Sequence, residues 1–338
     1  MSELDAILEA ASACDARGER FALATVVSVR GSSYRRPGAR LLVPEAGPPV
    51  GLISGGCLEG EAARLAREAL ALDAPVLVTV DHSAEGDELW GIGLGCRGVV
   101  QLLAEPPGLA AQTLDALRAS RDGVATFLLT GLDGDRRALS AVEADALGER
   151  AVLAVAHGRP TLLGEAVLDP IVPPLHLVIC GAGPDAGPLA AAGARLGWRV
   201  SVVDARRTML RHERFPDAEL HDVDPSDAAE AVGAGEWTAV VVMSHDYVRD
   251  AAFLGGFLGR GVPYLGVLGP RDRTERLLGE LESAPSAADQ AALHAPAGLD
   301  VGADGAEEVA TAIIGEILAV IRGRSGASLR ERPGPIHG

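Results

Sequence analysis

The sequence predicts an α/β protein in two parts, a smaller mixed α/β domain followed by a doubly wound parallel sheet. Three observations carry this. From residue 175 onward, apolar runs at 175–180, 199–203, 238–243 and 263–268, with a short one near 219–222, alternate strictly with helical stretches. That is the order of parallel strands joined by crossover helices. Before residue 165 strands and helices mix without such strict alternation. Between the two patterns stands D-P-I-V-P-P (169–174), where proline stiffens the chain. The expected division is a first domain over 1–168, a linker over 169–174, a second domain over 175–325 and a disordered tail over 326–338.

Local pattern justifies each element. Residues 4–17 read as a short helix and F-A-L-A-T-V-V-S-V-R (21–30) as a strand. G-S-S-Y-R-R-P-G (31–38) is a loop, because Gly and Pro interrupt both regular structures. A-R-L-L-V (39–43) and P-V-G-L-I (49–53) read as further strands. A helix over 58–70 puts Leu58, Ala62, Leu65 and Ala69 on one face. V-L-V-T-V (76–80) and V-V-Q-L-L (99–103) read as strands around a polar, Gly-rich stretch, 81–98. A long helix over 306–322 covers the second domain.

Composition narrows the function. The 338 residues suffice for two domains with separate cores. Aromatics are only 3%, so those cores must be built from Ala, Val, Leu and Ile. A formal net charge of −17 argues against a nucleic-acid partner, which would require a basic face. There is no lysine, so every fixed side-chain cation is an arginine, suited to forked contacts with phosphate or carboxylate. The N-terminus M-S-E-L-D-A-I-L lacks the regions of a signal peptide, and no apolar run reaches membrane-spanning length. A cytoplasmic protein is expected. None of the four cysteines, Cys14, Cys57, Cys96 and Cys180, stands at C-x-x-C spacing, so no structural zinc signature is present. A reducing compartment disfavours a disulfide framework.

In L-H-L-V-I-C-G-A-G-P-D-A-G (175–187) a strand runs into a glycine turn. Gly181, Gly183 and Gly187 make G-x-G-x-x-x-G, and Asp204 ends the next strand 21 positions after Gly183. Strand, turn, helix and acid in this order describe a Rossmann-like domain, with Asp204 placed to bind an adenosine ribose. Yet Pro184 removes an amide from the turn, and Asp185 puts negative charge where a pyrophosphate would dock. Asp185 could instead satisfy the helix amides itself. The sequence thus argues for the fold more than for bound NAD(P). Arg206 and Arg207 read either as phosphate partners or as a solvated pair. His245 and Asp246 follow a strand at the carboxyl edge, where ligands of such sheets bind, though a turn explains them equally well. Arg271 and Arg273, in G-P-R-D-R (269–273), follow the next strand at the same edge.

In the first domain Ser54-Gly55-Gly56-Cys57 joins a strand to a helix. The first amides of a helix lack intrachain partners and attract anions. Gly55 and Gly56 let the backbone approach a ligand closely. Cys57 there reads as a poised thiolate, partly opposed by Glu59 and Glu61, or else as a small buried apolar residue. Cys96, in G-L-G-C-R-G (93–98) beside Arg97, repeats the theme, though a tight turn explains its glycines alone. The 31–38 loop offers Ser32, Ser33 and Arg35 with several free amides, either an anion cradle or a hairpin loop with exposed charges. Cys14 and Cys180 read as packing residues.

The segments V-R-G-S-S-Y-R-R-P-G-A-R, G-L-I-S-G-G-C-L-E-G-E, L-W-G-I-G-L-G-C-R-G, I-C-G-A-G, Y-L-G-V-L-G-P-R and H-A-P-A-G-L-D-V-G-A occur in that order over most of the chain. Together they resemble the XdhC family, the xanthine dehydrogenase accessory factors related to CoxI-type proteins. The resemblance implies a cytoplasmic, homodimeric maturation factor rather than an enzyme with turnover of its own. Such a factor binds molybdenum cofactor (molybdopterin) and guards it during sulfuration, with a cysteine desulfurase as a further partner. It then helps insert the cofactor into a molybdenum hydroxylase client of the xanthine dehydrogenase or CO dehydrogenase type. Cys57 and Cys96 match family cysteines, and by that resemblance they are the candidates for contacting molybdenum or its dithiolene. Many relatives read G-A-G-H in the turn where this chain has Pro184 and Asp185. Two other readings are an NAD(P)-dependent oxidoreductase, with Asp204 on ribose and His245 as acid/base, and a redox sensor using Cys57 and Cys96.

Overall fold

The computed structural model of the chain describes residues 3–31, 35–56, 58–81, 98–281 and 284–331. It divides into two compact units, one comprising the chain up to Pro173 together with the C-terminal residues from Leu329, and one spanning Pro174–Ser328, so the first unit, expected to be the smaller, is the longer.

The first unit opens with helix α1 (Glu3–Arg17) and strands β1 (Phe21–Gly31), β2 (Arg40–Pro44) and β3 (Val50–Gly51). Helix α2 (Glu59–Leu72), β4 (Val76–Asp81) and β5 (Gly98–Glu105) follow. The five strands form one antiparallel sheet in the order β3-β2-β1-β5-β4. Helix α2 covers one face, burying Ala62, Leu65, Ala66 and Ala69 against Ala22, Ala24, Leu41, Leu102 and Ala104. Alanine on both sides lets helix and sheet approach closely. On the other face Ile7, Ala11 and Cys14 of α1 pack beside Phe21, Leu23 and Leu42. Cys14 is therefore a core residue of the kind its helical spacing suggests.

Helix α3 (Pro107–Arg121) leads to β6 (Thr126–Gly131) and β7 (Arg136–Leu139), then α4 (Ala141–Asp145), α5 (Glu149–His157), β8 (Thr161–Leu163) and β9 (Ala166–Ile171). These four strands form a second antiparallel sheet, β7-β6-β9-β8. The linker expected over 169–174 starts too early. Asp169, Pro170 and Ile171 are paired with Leu128, Phe127 and Thr126. Proline is tolerated because β8 pairs with β9 only as far as Leu168. Beyond that point β9 has an open edge, and a missing N–H breaks no ladder.

A buried ionic group joins the two sheets of this unit. Arg40 of β2 pairs with Asp169 of β9, and Arg136 of β7 pairs with Glu105 of β5. Thr113 of α3 donates to Glu105 at 2.9 Å and accepts from Arg136 at 2.9 Å. Thr25 Oγ1, Arg40 Nε, Glu105 Oε2 and Asp169 Oδ1 are buried with no protein hydrogen-bond partner. Charges are tolerated so deep only because each has an opposite charge in contact.

The second unit contains β10 (His176–Cys180), α6 (Ala186–Arg195), β11 (Arg199–Val203), β12 (Glu219–His221), α7 (Ala228–Ala231) and β13 (Thr238–Val242). It continues through α8 (Tyr247–Phe257), β14 (Tyr264–Val267), α9 (Arg271–Gly279), α10 (Ala287–Ala292), β15 (Leu293–His294) and α11 (Ala306–Ile321). Its strands form a parallel sheet in the order β12-β11-β10-β13-β14-β15, the doubly wound arrangement the sequence predicts. Both faces are covered, so the central strands are mostly apolar, with His176, Ser201 and Thr238 as buried polar residues on them. Ala186, Leu189 and Ile313 from α6 and α11 pack on one face, and Ala228, Phe253 and Leu277 from α7, α8 and α9 on the other. Cys180 ends β10 in the second of these cores. The two-residue β15 lies within a stretch whose Gly and Pro content hides it. In the expected tail, Leu329–Glu331 form a 3-10 turn, and 332–338 lie outside the described residues. Among the described residues no helix is long and apolar enough to cross a membrane.

Candidate functional site

Strand register in the first unit shows where the three glycine segments attach. β1 ends at Gly31, whose partner is Gly98 at the start of β5. β4 ends at Asp81, opposite Val99. β3 runs from Val50, opposite Leu42, to Gly51, opposite Leu41 near the start of β2. The chain therefore leaves one end of the sheet toward Ser32 and toward residue 82, and it re-enters there at Gly98, two positions after Cys96. β3 runs in the same direction as β1 but ends at Gly51, opposite Leu41, whose partner Ala24 stands seven positions before Gly31. Ser32, Ser33, Cys57 and Cys96 themselves lie outside the described residues.

Gly55 and Gly56 are exposed, and Gly56 has φ +115°, a backbone that glycine adopts readily and other residues do not. The expectation of free amides before α2 is corrected. Ser54 Oγ accepts from the N–H of Gly56 (3.1 Å) and of Leu58 (2.9 Å). Glu59 in turn accepts from the Ser54 N–H (2.8 Å) and the Ser54 hydroxyl. Burial pushes the Glu59 carboxyl up, but the hydrogen bonds from Ser54 outweigh it and hold the group below its ordinary value. The turn is closed from within by Ser54 and Glu59, and it carries a carboxylate at the helix start. Arg35 is engaged by Glu3 at 2.6 Å.

In the second unit the strand order reverses between β10 and β13, the switch point at which open α/β sheets bind ligands. Gly181 has φ +115°, and a Cβ there would lie 2.6 Å from Ser244 Cα. Only glycine lets the ends of β10 and β13 come so close. Gly183 is less constrained, since its Cβ would meet nothing nearer than His245 Cδ2 at 3.9 Å.

Asp204 does not stand open for a ribose. Its side chain is 2% exposed. It accepts from the Ala182 N–H (2.8 Å), from the Arg206 N–H (2.8 Å) and from both Nε (2.9 Å) and Nη2 (2.7 Å) of Arg206. Burial raises its pKa, yet Arg206 and the two backbone donors prevail and hold it below the ordinary value. Arg206 is thus neither a phosphate partner nor a purely solvated cation; it locks the acid to the glycine turn. Arg214 fixes the same turn from its other side, donating to Ala182 O (2.9 Å) and Gly183 O (2.8 Å). No motif flags Arg214, because it acts on carbonyls some thirty positions away.

The reading of Asp185 as a helix cap is also corrected: it makes no cap hydrogen bond. Its Oδ2 lies 3.1 Å from His245 Nε2. His245 has φ +60°, uncommon for a non-glycine residue, and its side chain is 52% exposed. Asp246 caps α8 through the Arg249 N–H at 3.0 Å, so the turn-forming role considered for it is real. Buried Asp250, unremarkable in sequence, holds the backbone before His245 by accepting from the Ser244 N–H (3.1 Å), and Arg273 pairs with it at 2.7 Å. Arg271 is exposed in the first turn of α9, so of the two candidate arginines it is Arg273 that reaches back to this edge. Two carboxylates fix the loops, and the His245–Asp185 pair is a polar group at this edge that faces solvent. Among the described residues no group of three or more His, Cys, Asp or Glu could hold a metal ion.

A family model for the XdhC Rossmann domain matches residues 177–317, and one for the XdhC and CoxI family matches residues 14–81. The chain is 29% identical over 333 residues to a probable xanthine dehydrogenase subunit from Bacillus subtilis (strain 168), covering 93% of this chain and 95% of that protein. It is 26% identical over 304 residues to the molybdenum cofactor insertion chaperone PaoD of Escherichia coli (strain K12), covering 90% and 84%. The crystal structure of a xanthine dehydrogenase from Bacillus halodurans matches with a TM-score of 0.73 at 28% identity, over 98% of both chains.

Proposed function

Because the chain belongs to the XdhC and CoxI family, we propose that it is a maturation protein for a molybdenum enzyme, holding molybdenum cofactor and delivering it to a client. The observation that carries this reading is the shared sheet end. The segments bearing Ser32, Ser33 and Cys96 attach to strands at one end of the N-terminal sheet, and β3 runs toward that end before the segment bearing Cys57. Neighbouring strands are about 5 Å apart, so segments leaving β1 and β5 start within reach of one small molecule. The donor set suits the group. Molybdenum is thiophilic and takes thiolates, while the pterin phosphate takes hydroxyl and guanidinium donors. A carrier must also release its cargo, which exchangeable thiolate contacts permit and a closed metal cage does not.

The carboxylate of Glu59 at the start of α2 favours a division of labour. A second anion on those amides would be repelled, so Cys57 serves as a metal contact and the phosphate binds elsewhere. In the second unit, the solvent-facing His245–Asp185 pair is the contact we assign to ligand at the switch point. The client is a molybdenum hydroxylase of the xanthine dehydrogenase type, the enzyme named in two of the relatives. A homodimer and a cysteine desulfurase partner belong to the same proposal.

The test is to incubate the full chain anaerobically with isolated molybdopterin. After gel filtration, molybdenum is measured by mass spectrometry and pterin by fluorescence of its oxidised form. The expected result is retention of both near one per chain, with loss of molybdenum in Cys57→Ser and Cys96→Ser. Retention of neither by the wild-type chain would refute the proposal.

A further inference from the structure

We infer that a groove under α5 in the first unit binds the phosphate end of a small, flat organic monophosphate. The inference rests on the maturation reading for the identity of its natural ligand, the pterin monophosphate, but not for its chemistry. The groove has a volume of about 240 Å³, the scale of a small ligand or of one end of a larger one. Its charged lining is basic, Arg150 and Arg159, with the His157 imidazole beside them and no carboxylate among the lining residues. That is a local reversal in a chain of net charge −17, and it selects an anion.

The sequence builds this face in three steps. Arg150 and His157 are seven positions apart on α5, so they lie on one side of the helix, with Ala154 between them. Gly158 then takes φ +56° and ends the helix, and the chain turns back through Arg159 and Pro160 along the same groove. Opposite them, β1 carries a bulge where its register against β5 shifts between Val26 and Ser28. A bulge re-aims the side chains beside it, and Val27, Ser28 and Val29 all reach the groove.

The walls also state the shape of the ligand. Pro37, Pro160 and Leu153 supply flat apolar contact, and Leu153 is 53% exposed without a ligand. Ser28 and Thr161 lie on the lining; the Ser28 hydroxyl donates to Gln101 Oε1 at 2.5 Å, and Arg150 Nη2 donates to Thr161 Oγ1 at 3.5 Å. A guanidinium beside a hydroxyl is a phosphate-binding pair. Arg150 also stands in the first turn of α5, where the helix end favours negative charge. Val29 pairs two positions from the Gly31–Gly98 partners, so the groove borders the sheet end to which the segment bearing Cys96 attaches.

The probe is pyridoxine 5′-phosphate, titrated into the full chain by calorimetry beside pyridoxine and inorganic phosphate. The phosphate ester is expected to bind at least tenfold more tightly than either fragment. Arg150→Gln and His157→Gln should each weaken it by about tenfold with thermal stability unchanged. No preference for the ester, or equal affinity in the two groove variants, overturns the inference. The two proposals fail separately. Cysteine-dependent molybdopterin binding without ester binding removes the groove and leaves the maturation reading. Groove-dependent ester binding without molybdopterin binding does the reverse.

Discussion

Acidification provides a quantitative test of the second unit's core, through His176. This imidazole sits at the start of β10, 6% exposed, with Nε2 2.8 Å from Ser201 Oγ. Burial first, and Arg199 next, push its pKa down from 6.5 to about 4. The folded state binds the proton less readily than the unfolded chain, so the stability is fully present above pH 6.5 and is lost as pH falls toward 4. Linkage puts the loss at about 1.4 kcal/mol at pH 5.5 and about 2.5 kcal/mol at pH 4.5. Against a typical stability of about 5–15 kcal/mol, that is readily measured. His221 (3.2 Å from Ser201 Oγ) and Glu219 also face this cluster, so the comparison must be made against a variant. His176→Val removes the titrating group and leaves Ser201 its contact with His221. Urea unfolding, followed by the fluorescence of Trp198 and Trp237, should show wild type losing about 2.5 kcal/mol more than His176→Val between pH 7.5 and 4.5. Parallel pH profiles for the two proteins would refute the reasoning.

Two further predictions concern stability. Gly181→Ala forces a Cβ to 2.6 Å from Ser244 Cα at φ +115° and should lower unfolding free energy by about 2–4 kcal/mol. Gly183→Ala, with 3.9 Å of clearance, should change it by less than about 1 kcal/mol; similar losses in both would contradict the close-approach argument. Asp169→Ala leaves Arg40 buried without its partner and should destabilise the first unit by about 3–5 kcal/mol, read by denaturant unfolding. The double variant Arg40→Met/Asp169→Leu should recover most of that loss.

Much of the fold was legible because it is local. The strands near 199–203 and 238–242 are apolar runs bounded by helical stretches, and a strand buried on both faces has to read that way. The second sheet of the first unit was not legible. Its strands are short and carry Arg136, Arg137 and Asp169, whose burial or exposure depends on partners distant in sequence. Asp204 was recognised by position and misjudged in role. Nothing local says that an arginine two residues on will take up the carboxylate.

By itself the sequence determined the parallel, doubly wound sheet of the second unit, the glycine turn after its first strand and the family to which the chain belongs. These depend on periodicity, backbone sterics and ordered short motifs, all carried by neighbours in the chain. Only the tertiary structure decided that Asp185 faces His245 across sixty positions, that Ser54 and Glu59 close the turn before α2, and that the segments after β1 and before β5 attach to one sheet end. Strand register and side-chain pairing depend on which distant residues meet, and a one-dimensional pattern carries no term for that.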